Sequence, residues 1–96
     1  NSISELRLLG ASPNPFNSTT TIEYALAIAS QVTLRLYNLS GRRIETLVDG
    51  RLQAGNHHAT LNATNLSSGL YFVRLNSPHL KGGLSGNLVQ KIMLVK

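Results

Sequence analysis

Catalysis needs an acid, a base or a nucleophile held close to a partner, and this chain offers few candidates. Its carboxylates are Glu5, Glu23, Glu45 and Asp49. They lie on separate segments, so the paired carboxylates of a glycosidase have no neighbours in sequence from which to form. Cysteine is absent, which removes disulfides, thiol nucleophiles and thiolate metal sites together. Of the three histidines, His79 follows a proline in a glycine-rich stretch, while His57 and His58 are adjacent. Adjacent residues on a strand point to opposite faces, so those two cannot share a metal through that strand. Zinc needs three or four converging ligands, and Asp49-Gly50 has no second carboxylate nearby to complete a calcium cage. The expectation is therefore no catalytic residue, no metal and no cofactor, with His57 capping or lining the core through a satisfied hydrogen bond and His58 in solvent.

Composition narrows the remaining classes. The 96 residues allow one small domain with a thin core. With 42% apolar and only 14% charged residues, disorder is not expected. No apolar run approaches the ~20 residues of a membrane-crossing helix, so no membrane span is expected. No signal-peptide pattern opens the chain, and Asn1 reads as the start of a fragment from a longer protein. The net charge of +5 rests on nine Lys and Arg, spread over the segments with one adjacent pair, Arg42-Arg43. Nucleic-acid binders concentrate such residues on one face or in a run, so no nucleic-acid partner is expected. Solvated strand faces account for the cations, with an acidic partner surface as the alternative. Flat sugar-binding faces rely on exposed aromatic rings, and the chain has no Trp, three Tyr and two Phe.

The elements that position these residues read as strands throughout. In Gln31–Val48, Val32, Leu34 and Leu36 alternate with Thr33, Arg35 and Tyr37, giving one apolar and one wetter face. Asn38-Leu39-Ser40-Gly41 fits a type I turn whose glycine takes the left-handed conformation and closes a three-residue hairpin. Arg42–Val48 returns. Before this hairpin, Ser2–Leu9 reads as an edge strand or a docked linker. Ser12–Asn17, with prolines at 13 and 15, reads as an extended crossing piece that buries Phe16. Thr19–Leu26 is a further strand. After it come turns at Asp49-Gly50 and Gln53–Asn56, a strand at His57–Asn62, a corner at Asn65–Gly69 and a strand at Leu70–Leu75. Ser77–Asn87 is a glycine-rich loop. Leu88–Val95 closes the chain, apolar on both sides. No stretch holds helical periodicity, so the fold class is all-β, a β-sandwich of six to eight short strands. Tyr71, placed after Leu66-x-x-Gly69, is able to bond back to the preceding bend as in immunoglobulin-like corners.

The ordered landmarks carry a resemblance. Pro13-Asn14-Pro15-Phe16-Asn17 precedes Thr20-Thr21-Ile22-Glu23-Tyr24 and Val32–Asn38, then Gly41-Arg42-Arg43-Ile44. Ala54-Gly55-x-His57, Leu66–Leu75 and Lys91–Lys96 complete the series. From about Ala11 to Lys96 the chain resembles the type A carboxy-terminal sorting domain of the type IX (Por) secretion system. It is also similar to the immunoglobulin-like domain of the flagellar hook-capping protein. The resemblance implies an immunoglobulin-like β-sandwich of about seven antiparallel strands over 11–96, with 1–10 as linker or docked edge segment. It further implies a passenger amino-terminal to it in the same chain, of the Bacteroidetes type. The outer-membrane translocon and a sortase are the implied partners, and export through the periplasm to the cell surface or medium the implied route. Carried over by position, the family's motif residues are Pro13, Asn14, Pro15, Gly41, Arg42, Gly69, Tyr71, Lys91 and Lys96. Leu61 stands where the family often has an aromatic residue, and Asn38 where an aspartate is common; Asn38 keeps the capping role.

On this reading the translocon engages the last strand through Lys91, Ile92, Met93, Leu94, Val95 and Lys96. An edge strand adds to a partner's sheet through backbone bonds, with side chains setting specificity. Removing Lys91–Lys96 is then expected to abolish export. The same strand is also open to weak pairing with a second copy. The rival reading is a carbohydrate-binding or spacer module of a secreted multidomain enzyme.

Overall fold

The computed structural model describes residues 6–77 and 86–96. Seven strands follow in order: β1 (Leu6–Ser12), β2 (Thr19–Leu26), β3 (Ser30–Asn38), β4 (Arg43–Leu52), β5 (Gly55–Asn62), β6 (Gly69–Ser77) and β7 (Gly86–Leu94). They form two antiparallel sheets, one ordered β1-β2-β5 and the other β4-β3-β6-β7. This is the expected sandwich with immunoglobulin-like order, and each sheet mixes strands that are distant in sequence.

Alternation explains the layers. In β2, Thr20, Ile22, Tyr24 and Leu26 are buried; in β3, Val32, Leu34 and Leu36; in β6, Tyr71, Val73 and Leu75; in β7, Ile92 and Leu94. These side chains meet between the sheets with Leu6, Phe16, Leu61 and Ala63 in one cluster. Fully burying each such aliphatic side chain is worth about 1.5–3 kcal/mol, so the two-residue period by itself drives the sheets together. Arg74 is exposed between buried Val73 and Leu75, and Lys91 is exposed beside buried Ile92, as the same period requires.

The β3–β4 hairpin has the turn its residues demand. Asn38 accepts from the Gly41 amide at 3.0 Å and donates to the Arg42 carbonyl at 3.0 Å. Its side-chain oxygen accepts from the amides of Ser40 (2.9 Å) and Arg42 (3.0 Å). Gly41 sits at φ +86°, a region that costs a Cβ-bearing residue.

In several places the reading differs. β1 runs on to Ser12 rather than ending at Leu9, and Gly55 and Asn56, expected in a turn, open β5 by pairing with Leu26 and Ala25. Asp49-Gly50, expected as a turn, lies inside β4, where the two residues pair with Thr33 and Val32. Long-range pairing with β3 overrides the local turn preference there, and the Gln31 side chain bonds the Asp49 carboxylate at 3.4 Å. The glycine-rich loop is shorter than Ser77–Asn87, since Ser77 ends β6 while Gly86 and Asn87 open β7. Its centre, residues 78–85 with His79, lies outside the described residues, as do residues 1–5 of the first expected strand. Leu6 is buried and pairs with Leu26.

Candidate functional site

The last strand ends the four-stranded sheet, and an edge strand ordinarily presents a row of unpaired amides and carbonyls. Here residues 13–16 occupy that row. After β1 the chain leaves the three-stranded sheet, crosses, and meets β7 in a parallel bridge between Phe16 and Leu94. The Phe16 amide donates to the Met93 carbonyl at 2.9 Å, and the Val95 amide donates to the Phe16 carbonyl at 2.8 Å. One step earlier, Asn14 does the same work with its side chain. Its Nδ2 donates to the Lys91 carbonyl at 3.1 Å and its Oδ1 accepts from the Met93 amide at 3.0 Å. The carboxamide thus imitates a peptide group and extends the ladder past the point where proline at 15 has no donor to give.

Each side of this clasp is anchored. Both X-Pro bonds, Ser12-Pro13 and Asn14-Pro15, are cis. The Pro13 carbonyl accepts from the Thr20 hydroxyl at 2.7 Å, and Thr20 is buried. Phe16 fills the core beneath, as expected of the crossing piece. A hollow of about 270 Å³ lies over the junction, lined by Asn14, Pro15, Leu70, Lys91, Ile92 and Met93.

The motif residues converge on this end of the sandwich. Gly69 pairs with Leu94 and Tyr71 with Ile92; Asn38, at the base of the Gly41-Arg42 turn, pairs with Tyr71. The Tyr71 hydroxyl donates to the Ser67 carbonyl at 2.6 Å, closing the corner as its spacing predicts. Lys96 docks on that corner too. Its amide donates to the Ser68 hydroxyl at 3.1 Å, and its ammonium donates to the Thr64 carbonyl at 2.8 Å. Thr64 in turn is held by Asn62, whose Oδ1 accepts from its amide and its hydroxyl.

The six residues of the last segment divide by face. Ile92 and Leu94 are core residues, so they are not available to a partner while the domain is folded. Lys91, Met93, Val95 and Lys96 are exposed. The backbone of that stretch is largely spoken for, because Lys91 and Met93 carbonyls and Met93 and Val95 amides already bond the clasp. Strand addition by a translocon or by a second copy, the mode anticipated for this edge, therefore meets four outward backbone groups of residues 91–95 that are already paired. The sequence shows Asn14 only as one motif position; its two bonds to a strand nearly eighty residues away are a product of the fold.

Elsewhere, His57 and His58 turn opposite ways. The His57 ring nitrogen Nε2 contacts the Gln53 carbonyl at 2.7 Å, and the ring stacks on Tyr24 with centroids 5.6 Å apart. His58 is exposed. Burial raises the Tyr24 pKa above its ordinary value of 10.0. Of the aromatics, Phe16, Tyr24 and Tyr71 are buried, while Tyr37 and Phe72 pair with each other across β3 and β6. Among the described residues, the carboxylates Glu23, Glu45 and Asp49 stand on β2 and β4 with no two on adjacent positions of one face.

A protein-family model described as a secretion system C-terminal sorting domain matches residues 11–93. No curated protein matches the chain.

Proposed function

The chain belongs to the family of secretion system C-terminal sorting domains, and from that membership we propose that the outward side chains of its last strand are what the translocon reads. As a member it is a sorting module of type IX secretion, and it marks the protein that bears it for the cell surface or for release. Such domains are non-catalytic modules. The role implies a passenger in the same chain and a secretion machinery that recognises the module. A carbohydrate-binding or spacer role is not favoured.

The contact we assign is Lys91 and Met93, with Val95 beyond. The supporting observation is the clasp: it occupies the backbone edge and leaves side chains as the readable surface. Lys91 is exposed, whereas the Lys96 ammonium is already turned onto the Thr64 carbonyl. Lys96 therefore positions the terminus more than it presents a charge. Ile92 and Leu94 act by holding β7 in the sandwich. Removal of the domain by a sortase, with attachment of the passenger to the surface, is the later step of the same route.

A fusion tests this. The chain is placed after a signal-peptide-bearing fluorescent protein in a host with type IX secretion. Fluorescence at the surface or in the medium, lost when the translocon is inactivated, is expected. The double variant Lys91→Glu, Met93→Ser is expected to hold the fusion in the periplasm with an unchanged melting temperature. Export of that variant at the parental level would move the signal off this strand.

A further inference from the structure

We propose that the outer face of the four-stranded sheet is a binding site for an extended acidic peptide, built on a guanidinium pair formed by Arg35 and Arg74. The two arginines are direct partners in the β3–β6 register, so both side chains leave the same face side by side. Like charges directly opposite one another oppose folding. Among the described residues neither guanidinium has a carboxylate partner. The Arg35 Nε is sealed from solvent without a hydrogen-bond partner, a donor whose desolvation nothing offsets. Arg74 is held in place by Tyr37, its guanidinium carbon lying 4.9 Å from the ring centroid. An oxyanion between the two would answer the repulsion at the outward guanidinium nitrogens, since guanidinium forks match carboxylates in a bidentate way.

The surroundings choose among oxyanions. A hollow of about 190 Å³ lies at the pair, bordered also by Thr33, Tyr37 and Asn76. A second hollow, about 300 Å³, shares Tyr37 and Arg74 with the first and is lined beyond them by Leu39, Phe72 and Val89. The face therefore offers a cationic end that runs into an apolar one. Arg35 and Arg74 form one cross-strand row, and Tyr37 and Phe72 form the next, two residues along the strands. That step is about 7 Å, and it is also the spacing between same-side residues of any extended chain. A peptide lying along the strands thus places a Glu or Asp on the arginine row and an apolar side chain two positions away on the aromatic row. The net charge of +5 favours the same class of partner. A neutral sugar would leave the guanidinium pair unanswered. The site shares the outer sheet face with the last strand's export contact, since Phe72 pairs with Lys91, but Arg35 and Arg74 lie outside that contact and peptide binding is read without export.

The test is fluorescence anisotropy of the 96-residue chain with a fluorescein-labelled peptide, Gly-Ser-Glu-Thr-Leu-Ser-Gly. Saturable binding that weakens with added salt is expected. Replacing Glu by Gln in the peptide, or Arg74→Gln in the protein, should each weaken binding by about tenfold or more. Replacing the peptide Leu by Ser should weaken it by a smaller factor. Arg74 is exposed, so its variant is expected to keep the parental melting temperature; Arg35→Lys gives a second variant that retains charge while losing the fork. Absence of saturable binding up to about 1 mM, equal binding of the Gln peptide, or equal binding by both protein variants would overturn the proposal. Tighter binding of oligogalacturonate than of the peptide would overturn it in favour of an anionic glycan.

Discussion

At the scale of single residues, Tyr24 is the side chain whose environment makes the clearest demand. It is buried on β2, stacked on His57, and burial raises its pKa above 10.0. The unfolded chain therefore releases this proton at lower pH than the folded one. The stability tied to the neutral phenol is complete below pH 10.0 and is lost as pH climbs from there through the raised folded value. Urea midpoints measured across that alkaline window should fall with pH, and Tyr24→Phe should flatten the fall. An identical slope in the variant would assign the loss to other groups. Asn38 makes a milder demand, since its carboxamide caps the turn by accepting from two amides. An aspartate serves that acceptor role equally, so the asparagine here leaves the turn unchanged.

At the scale of elements, the clasp between residues 13–16 and β7 is the feature that defines the candidate site. It closes one sheet edge with bonds from a backbone and from one side chain. Asn14→Ala removes the side-chain share. The expected loss is about 1–2 kcal/mol by urea unfolding, two modest hydrogen bonds at an exposed position. Amide exchange at Met93 should accelerate, because its acceptor is gone, while exchange at Val95, held by Phe16, should stay slow. Equal protection of Met93 in the variant would remove Asn14 from the clasp. With Asn14 in place, edge pairing with a second copy competes with bonds already made at the Lys91 carbonyl and the Met93 amide.

At the scale of the whole molecule, the last segment is both signal and structural strand, and this constrains how the signal is probed. Ile92 and Leu94 are buried, with exposures of 0% and 1%. Deleting residues 91–96 removes both, along with the acceptors that Phe16 and Asn14 use. Each buried aliphatic residue lost in this way costs about 2–5 kcal/mol, against a total stability of about 5–15 kcal/mol for a domain. The truncated chain should therefore lose its cooperative thermal transition, read by far-ultraviolet circular dichroism. A truncated chain that still melts cooperatively near the parental temperature would show the clasp and β7 to be dispensable. If it does unfold, loss of export on truncation reports the fold, and only surface substitutions such as Lys91→Glu isolate recognition.

The sequence alone determined the cores of β2, β3 and β6, because the two-residue period of Ile22-Tyr24-Leu26, Val32-Leu34-Leu36 and Tyr71-Val73-Leu75 is a local property of the chain. It also determined the Asn38–Gly41 turn and the Tyr71 corner, where the partners lie within a few residues, and the ordered motifs were enough to reach the family. Tertiary structure decided whatever depended on register between distant segments. Asp49-Gly50 looked like a turn until pairing with β3 made it strand. The edge of β7 looked open until Asn14 and Phe16 closed it. Arg35 and Arg74 looked like two scattered cations until the β3–β6 register set them side by side. Spacing along one strand is written in the chain, whereas the partner across a sheet is chosen by the packing of all seven strands.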